Sequence, residues 1–193
     1  MPAMFYLRDL PKYEAIRQRA ARYPELDPRA LEVFLVLLRV ASDVLDGLEA
    51  FLASRGTSQG KFTILMLLNR DPDAGISPSE LADRSGVTRA TITGLLDGLT
   101  REKLVLREDD AGDRRKAVVR LTRRGRTHLE TMLPAYYGQV AELMSELTDD
   151  EKVELIALLG KVNKRLPKLW AAAGKPVGTD GGDTTMNPGP AAG

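Results

Sequence analysis

Side chains capable of covalent or metal chemistry are scarce in this chain. It has no cysteine and a single histidine, His128. Disulfides, thiolate zinc sites, iron–sulfur clusters and thiol redox sensing are thereby excluded, as is a multi-histidine metal site. A Ser-His catalytic centre would have to hang on His128 alone. Neither a nucleotide-binding glycine loop nor a nucleophile elbow is present. Asp109, Asp110 and Asp113 form a carboxylate cluster, but in a loop such groups are hard to preorganise for catalysis. An enzyme is therefore the poorest class of function, and no cofactor is expected. Cationic side chains, by contrast, are concentrated in one place. Residues 84–126 hold twelve Lys/Arg against six Asp/Glu, a local net of +6, while the remainder nets −5 and the whole chain +1. A basic block in an otherwise acidic chain is the footprint of a lobe that meets a polyanion. Charge clustering by itself fits a solvated, salt-bridged surface equally well.

The spacing inside the block is more specific. Ser77-Pro78-Ser79-Glu80 reads as a capping box with proline at the first helical position, opening a short helix that Ser85-Gly86 ends. Thr88 caps a second helix with Ile92, Leu95, Leu96 and Leu99 on one face. Ala82 is small where the two helices would nearly touch. Gly86, four residues on, supplies the positive φ of a tight turn, and Ile92, six further, plugs the crossing. Leu81, Val87 and Leu95 are expected to complete the shared core. These offsets spell a helix-turn-helix. Its second helix would enter the major groove of DNA with Thr88, Arg89, Ala90, Thr91, Thr93 and Gly94 outward at the base edges. Arg89 can fork onto a guanine, the threonines can bond phosphate or meet a thymine methyl, and Gly94 lets the backbone come close. The plainer alternative is an αα-hairpin with a polar outer face.

The hydrophobic period then changes. Residues 104–107 and 117–121 are short β-rich runs around a polar stretch, residues 108–116, and read as a β-hairpin. Helix–helix–hairpin is the order of a winged helix. The hairpin loop carries Arg114, Arg115 and Lys116 at its tip, and a tip arginine suits the narrow minor groove, where negative potential is strongest. Asp113, out of place beside a polyanion, is read as the ion-pair partner that aims Arg115. Arg120, Arg123, Arg124 and Arg126 follow at the base of the wing, where backbone phosphates would pass. A solvated charged loop is the bland reading of the same residues.

The elements that must position these groups follow from the rest of the 193 residues, enough for one large domain or two small ones. Hydrophobic residues at 43% and aromatics at 5% suit a mostly helical globular chain better than an all-β sandwich or a stacking platform for single strands. No apolar stretch reaches the roughly 20 residues of a membrane span, and the N-terminus lacks a basic-then-apolar signal pattern. A cytoplasmic protein with no membrane partner is expected. Residues 1–26 read as an extension, helical in part over about residues 12–22. Asp27-Pro28 is an N-cap with proline at the first helical position, and the helix it opens runs to about Ala53 before Gly56. Its first half is apolar nearly all round, which predicts burial on several sides and hints at a subunit interface. Ser58 caps the next helix. Thr122 caps a long one that Pro134 should kink. Thr148-Asp149-Asp150-Glu151 is a capping box opening a helix with Val153, Ile156, Leu159, Val162 and Leu166 inward. Residues 174–193, rich in Gly, Pro, Thr and Asp without periodicity, read as a disordered tail.

Taken together, Ser77-Pro78-Ser79-Glu80-Leu81-Ala82, Gly86-Val87-Thr88-Arg89-Ala90-Thr91-Ile92-Thr93, Asp113-Arg114-Arg115-Lys116 and Leu121-Thr122-Arg123-Arg124-Gly125-Arg126 resemble the multiple antibiotic resistance regulator (MarR) family. The likeness spans about residues 28–170. It implies a mainly α fold with a small β-hairpin wing: a winged helix-turn-helix DNA-binding lobe at residues 58–122, and a helical dimerisation region at residues 27–57 and 123–173. It further implies a homodimer on a pseudo-palindromic operator, usually a repressor, released when a small aromatic or anionic effector binds. In the family's terms residues 88–94 become major-groove contacts and Arg115 the minor-groove contact, oriented by Asp113. The effector cleft would draw on Arg39, Asp43, Phe62 and His128, and Trp170 would anchor the dimer core. Many relatives have glycine immediately before the first wing strand; this chain has Lys103, which puts the helix-to-wing turn in question. The competing reading is a winged-helix interaction module whose basic face binds an acidic protein partner. Arg114-Arg115 and the outward threonines suit DNA better than a flat protein surface.

Overall fold

The structure, a computed structural model, describes residues 9–71, 74–109 and 117–170, and the chain divides into two units, residues 1–62 and 63–193. In the first unit α1 (Tyr13–Ala20) packs on α2 (Pro28–Ala53). Ile16 is buried, and the Arg29 guanidinium lies 4.2 Å from the centre of the Tyr13 ring, a cation–π contact between the two helices. The start of α2 is dictated locally. The Asp27 carboxylate accepts from the backbone N–H groups of Arg29 and Ala30 at 2.9 and 3.1 Å, and Pro28 stands where no N–H is needed. Of the residues in α2 only Phe51 and Leu52 are buried, while Val33, Phe34, Val36 and Val40 stay about half exposed. The first half of α2, expected to be covered on several sides, is open in the single chain. α3 (Gln59–Leu68) crosses the boundary between the units; Ser58 caps it only weakly, accepting from the Lys61 N–H at 3.5 Å.

The second unit builds its core from Ile64, Leu65 and Leu68 of α3, Leu81 and Ala82 of α4 (Pro78–Ser85), and Ile92, Leu96 and Leu99 of α5 (Arg89–Arg101). β1 (Val105–Asp109) pairs antiparallel with β2 (Ala117–Leu121), setting Val105 opposite Leu121 and Arg107 opposite Val119. The hairpin gains a further partner that the sequence reading missed. Ile76 exchanges both backbone hydrogen bonds with Val119, at 3.0 and 2.8 Å, directly after Gly75. A single bridging residue carries no alternation and so no periodic signal.

Thr122 caps α6 (Arg123–Leu143) by accepting from the Gly125 N–H at 2.9 Å, and the helix continues as one element through Pro134. Thr148 and Glu151 form both bonds of the expected box at the head of α7 (Asp149–Asn163): the Thr148 N–H donates to the Glu151 carboxylate at 2.8 Å, and the Glu151 N–H donates to the Thr148 hydroxyl at 3.3 Å. The burial expected of α7 is corrected. No residue of that helix is buried, and Val153 and Ile156 are about two-thirds exposed, because none of the described residues covers their face. Leu166 is half-buried at the start of α8 (Leu166–Trp170). The expected tail, residues 174–193, and the Trp170 side chain lie outside the described residues.

Candidate nucleic-acid interface

The turn between α4 and α5 closes as the spacing of Ala82, Gly86 and Ile92 requires. Gly86 takes φ +65° and ψ 30°, the N–H of Val87 donates to the Ala82 carbonyl at 3.2 Å, and Ala82 and Ile92 are buried at the crossing. A β-carbon on Gly86 would meet nothing within 4 Å, so the glycine serves the left-handed backbone and not a shortage of space. Two expectations need correction. Val87 is exposed, since it emerges from the left-handed turn before Thr88 and belongs to neither helix face; Leu95 is only half-buried. The box at α4 is half made as well. The Ser77 hydroxyl accepts from the Glu80 N–H at 3.2 Å, but the Glu80 carboxylate pairs with Arg84 one turn on.

The face of the first turns of α5 opposite Ile92 stands free of the core. Thr88, Arg89, Ala90, Thr91, Thr93 and Gly94 are all exposed. Their hydroxyls are organised locally: Thr88 accepts from the Thr91 N–H at 3.2 Å, the Thr88 and Thr91 hydroxyls share a 2.9 Å hydrogen bond, and Thr93 donates to the Arg89 carbonyl at 3.0 Å. The Thr91 and Thr93 hydroxyls each keep at least one lone pair for an outside donor. A β-carbon on Gly94 would meet nothing within 4 Å, leaving that stretch of backbone open to a close partner. Asp113, Arg114, Arg115 and Lys116 lie outside the described residues.

At the base of the hairpin the expected row of phosphate-facing arginines divides. Arg123 and Arg124 are exposed. Arg120 is instead a strut: its Nε lies 3.3 Å from the Glu108 carboxylate across the strand pair, and its side chain packs against Gly75, which takes φ +69°. A second ion pair unread in the sequence joins α5 to β1, where Arg107 Nη2 lies 2.7 Å from Asp97 Oδ1. Its partners are ten residues apart on different elements, so no local spacing could flag it. The helix-to-wing turn has its own device. Lys103 takes φ +60°, the conformation for which glycine is the usual choice, and its carbonyl accepts from the Thr122 hydroxyl at 2.7 Å.

The candidates for an effector cleft are placed as follows. Arg39 and Asp43 pair with each other along α2 at 2.7 Å, and Phe62 is buried; all three belong to the first unit. His128, half-buried on α6, belongs to the second. Among the described residues no group of three or more His, Cys, Asp or Glu is arranged to hold a metal ion, and no helix is long and apolar enough to cross a membrane.

Known proteins share this arrangement. A family model described as MarR family matches residues 56–116, the span from the end of α2 to the hairpin loop. The HTH-type transcriptional repressor YetL of Bacillus subtilis is 42% identical over 160 residues, covering 83% of this chain and 96% of that protein. Among solved structures, apo MarR from E. coli is 26% identical with a TM-score of 0.55, covering 66% of this chain and 93% of that one. The transcriptional repressor CouR, bound to a 23-mer DNA duplex, is 25% identical with a TM-score of 0.60, covering 67% and 90%. With an exposed polar helix, a hairpin wing and near-complete coverage of a repressor at this identity, the chain belongs to the MarR family of winged-helix transcription regulators.

Proposed function

We propose that this protein is a homodimeric transcriptional repressor that binds a pseudo-palindromic operator and is released from it by a small aromatic or anionic ligand. The observation that carries the reading is that the 42% identity extends through 96% of the YetL repressor. The match therefore includes the flanking helices as well as the winged lobe. Residues 88–94 contact base edges and phosphates in the major groove, where their exposure on α5 suits them. Arg115 reaches the minor groove, oriented by Asp113, and Arg114 and Lys116 beside it in sequence also contact the DNA. Residues 27–57 and 123–173 form the dimerisation region. The open apolar sides of α2 and α7 support this, since surfaces of that kind are not left to water in a finished assembly. Residues 1–26 extend that region. Arg39, Asp43, Phe62 and His128 are the ligand-site residues, and the protein acts in the cytoplasm.

The test is a salt-dependent titration of the protein with its own upstream DNA against a scrambled duplex. Preference for the upstream site at one dimer per site is the expected result, followed by release on adding an aromatic acid or phenol. Equal, weak binding to both duplexes, erased by moderate salt, would overturn the reading and favour an acidic protein partner.

A further inference from the structure

α5 contains one acidic residue, Asp97, against two arginines, Arg89 and Arg101. Its carboxylate is exposed, and it pairs at 2.7 Å with Arg107 of β1, which is itself 38% exposed. An exposed ion pair adds little to stability, so folding does not explain why a helix that approaches a polyanion keeps a carboxylate. Position does. Asp97 stands eight residues beyond Arg89, about 12 Å along the helix axis. On the DNA-binding reading above, the pair thus stands about two helical turns from the base-reading start of α5, and the partner within its reach is the phosphate backbone flanking the groove. A free arginine at that place would bond phosphate on any sequence, adding affinity without information.

We infer that Asp97 is a specificity-determining residue: by holding the Arg107 guanidinium in an ion pair it keeps that cation off the phosphate backbone, so that base contacts from the start of α5 carry a larger share of binding. This rests on the DNA-binding reading above. The ratio of operator to random-duplex affinity is the quantity a regulator needs, and it falls whenever sequence-independent contacts are added.

The experiment measures salt-dependent binding of the full chain to its upstream DNA and to a scrambled duplex, for the native protein, D97N, the double variant D97N/R107Q and the charge-reversed D97R/R107D. In D97N the freed arginine is expected to steepen the slope of log K against log salt by about 0.9 on both duplexes, the contribution of one added phosphate contact. Scrambled-duplex binding should tighten severalfold, and the preference for upstream DNA should fall severalfold. D97N/R107Q should return to the native slope, and D97R/R107D, which rebuilds the pair, should keep the native preference. A D97N protein with native slope and preference overturns the inference. So does a steepened slope that persists in D97N/R107Q, which would make the carboxylate's own repulsion the cause. A D97N chain that does not fold also overturns it, since the pair would then be structural. If the native protein shows no preference for its upstream DNA, the DNA-binding reading itself fails; a native preference with unmoved variants removes this inference alone.

Discussion

Gly125, in the first turn of α6, lies directly against the backbone carbonyl of Leu104 just before β1: a β-carbon built on the glycine would overlap that oxygen and come within 3.0 Å of the carbonyl carbon. The space is closed by backbone, which cannot swing away as a flexible side chain can. Gly125→Ala should therefore force α6 and the base of the hairpin apart, at a cost of about 3 kcal/mol or more, the upper range for overpacking. In a protein of this size that is a fall in Tm of about 6–12 °C. Thermal melts of the Ala variant check it, and an unchanged Tm would mean that the contact relaxes freely.

Lys103 and Thr122 meet at the same junction. The left-handed backbone of Lys103 costs about 1–2 kcal/mol in a residue with a β-carbon. Glycine removes that strain but adds about 0.4–1 kcal/mol of unfolded-chain entropy. Lys103→Gly is thus expected to stabilise the protein by about 0.5–1 kcal/mol in denaturant titrations. Thr122→Ala should do the opposite, by about 1–2 kcal/mol, because its hydroxyl both caps α6 and binds the Lys103 carbonyl. Thr122→Ser, which keeps the hydroxyl, should lie close to the native protein.

The contrast between these positions and others explains what the sequence discloses. Asp27-Pro28 and Thr148-Glu151 are legible because a cap is a contract among residues within one turn. The crossing of α4 and α5 is legible because a fixed turn sets the offsets of Ala82, Gly86 and Ile92. The face of α7 is legible as a stripe, but periodicity says only which residues share a side and not what covers it, so Val153 and Ile156 emerge exposed. The offset of Val87 matches a core position, but the residue after a left-handed turn has no helical face, and Val87 is exposed. Arg120 looks like one more basic residue until Glu108 is found across the strand pair, and Asp97 and Arg107 meet only in three dimensions. Such pairings depend on register and packing, which composition does not encode.

The head of α7 should respond to acid. The Thr148 backbone N–H, and after it the Thr148 hydroxyl, hydrogen-bond the Glu151 carboxylate and hold it below its ordinary value of 4.5. A group depressed in the folded state contributes stability in full above its unfolded value, and loses that contribution as pH falls through the folded one. Protection of the Thr148 and Glu151 amides in hydrogen exchange should be constant above pH 4.5 and decline below it. Glu151→Gln keeps a hydrogen-bonding side chain without the charge, and its protection should no longer change over that acid range. An equal acid response in both proteins would assign the effect to other carboxylates.

Arg89 and Arg115 should fail in different ways, and the difference separates base reading from anchoring. Arg89 is exposed on α5 and is proposed to read base edges. Its loss to Ala should cost about 1–3 kcal/mol on the upstream site and relax the preference for one base pair. Arg115, proposed for the minor groove, reads potential more than sequence. Arg115→Ala should weaken binding and reduce the salt slope by about 1. Titrations of both variants against single-base-pair changes of the site, each at several salt concentrations, distinguish the two. If Arg89→Ala weakens every duplex equally, Arg89 is a phosphate contact and base reading passes to the threonines of the same helix. If Arg115→Ala leaves affinity and slope unchanged, the wing does not enter the groove.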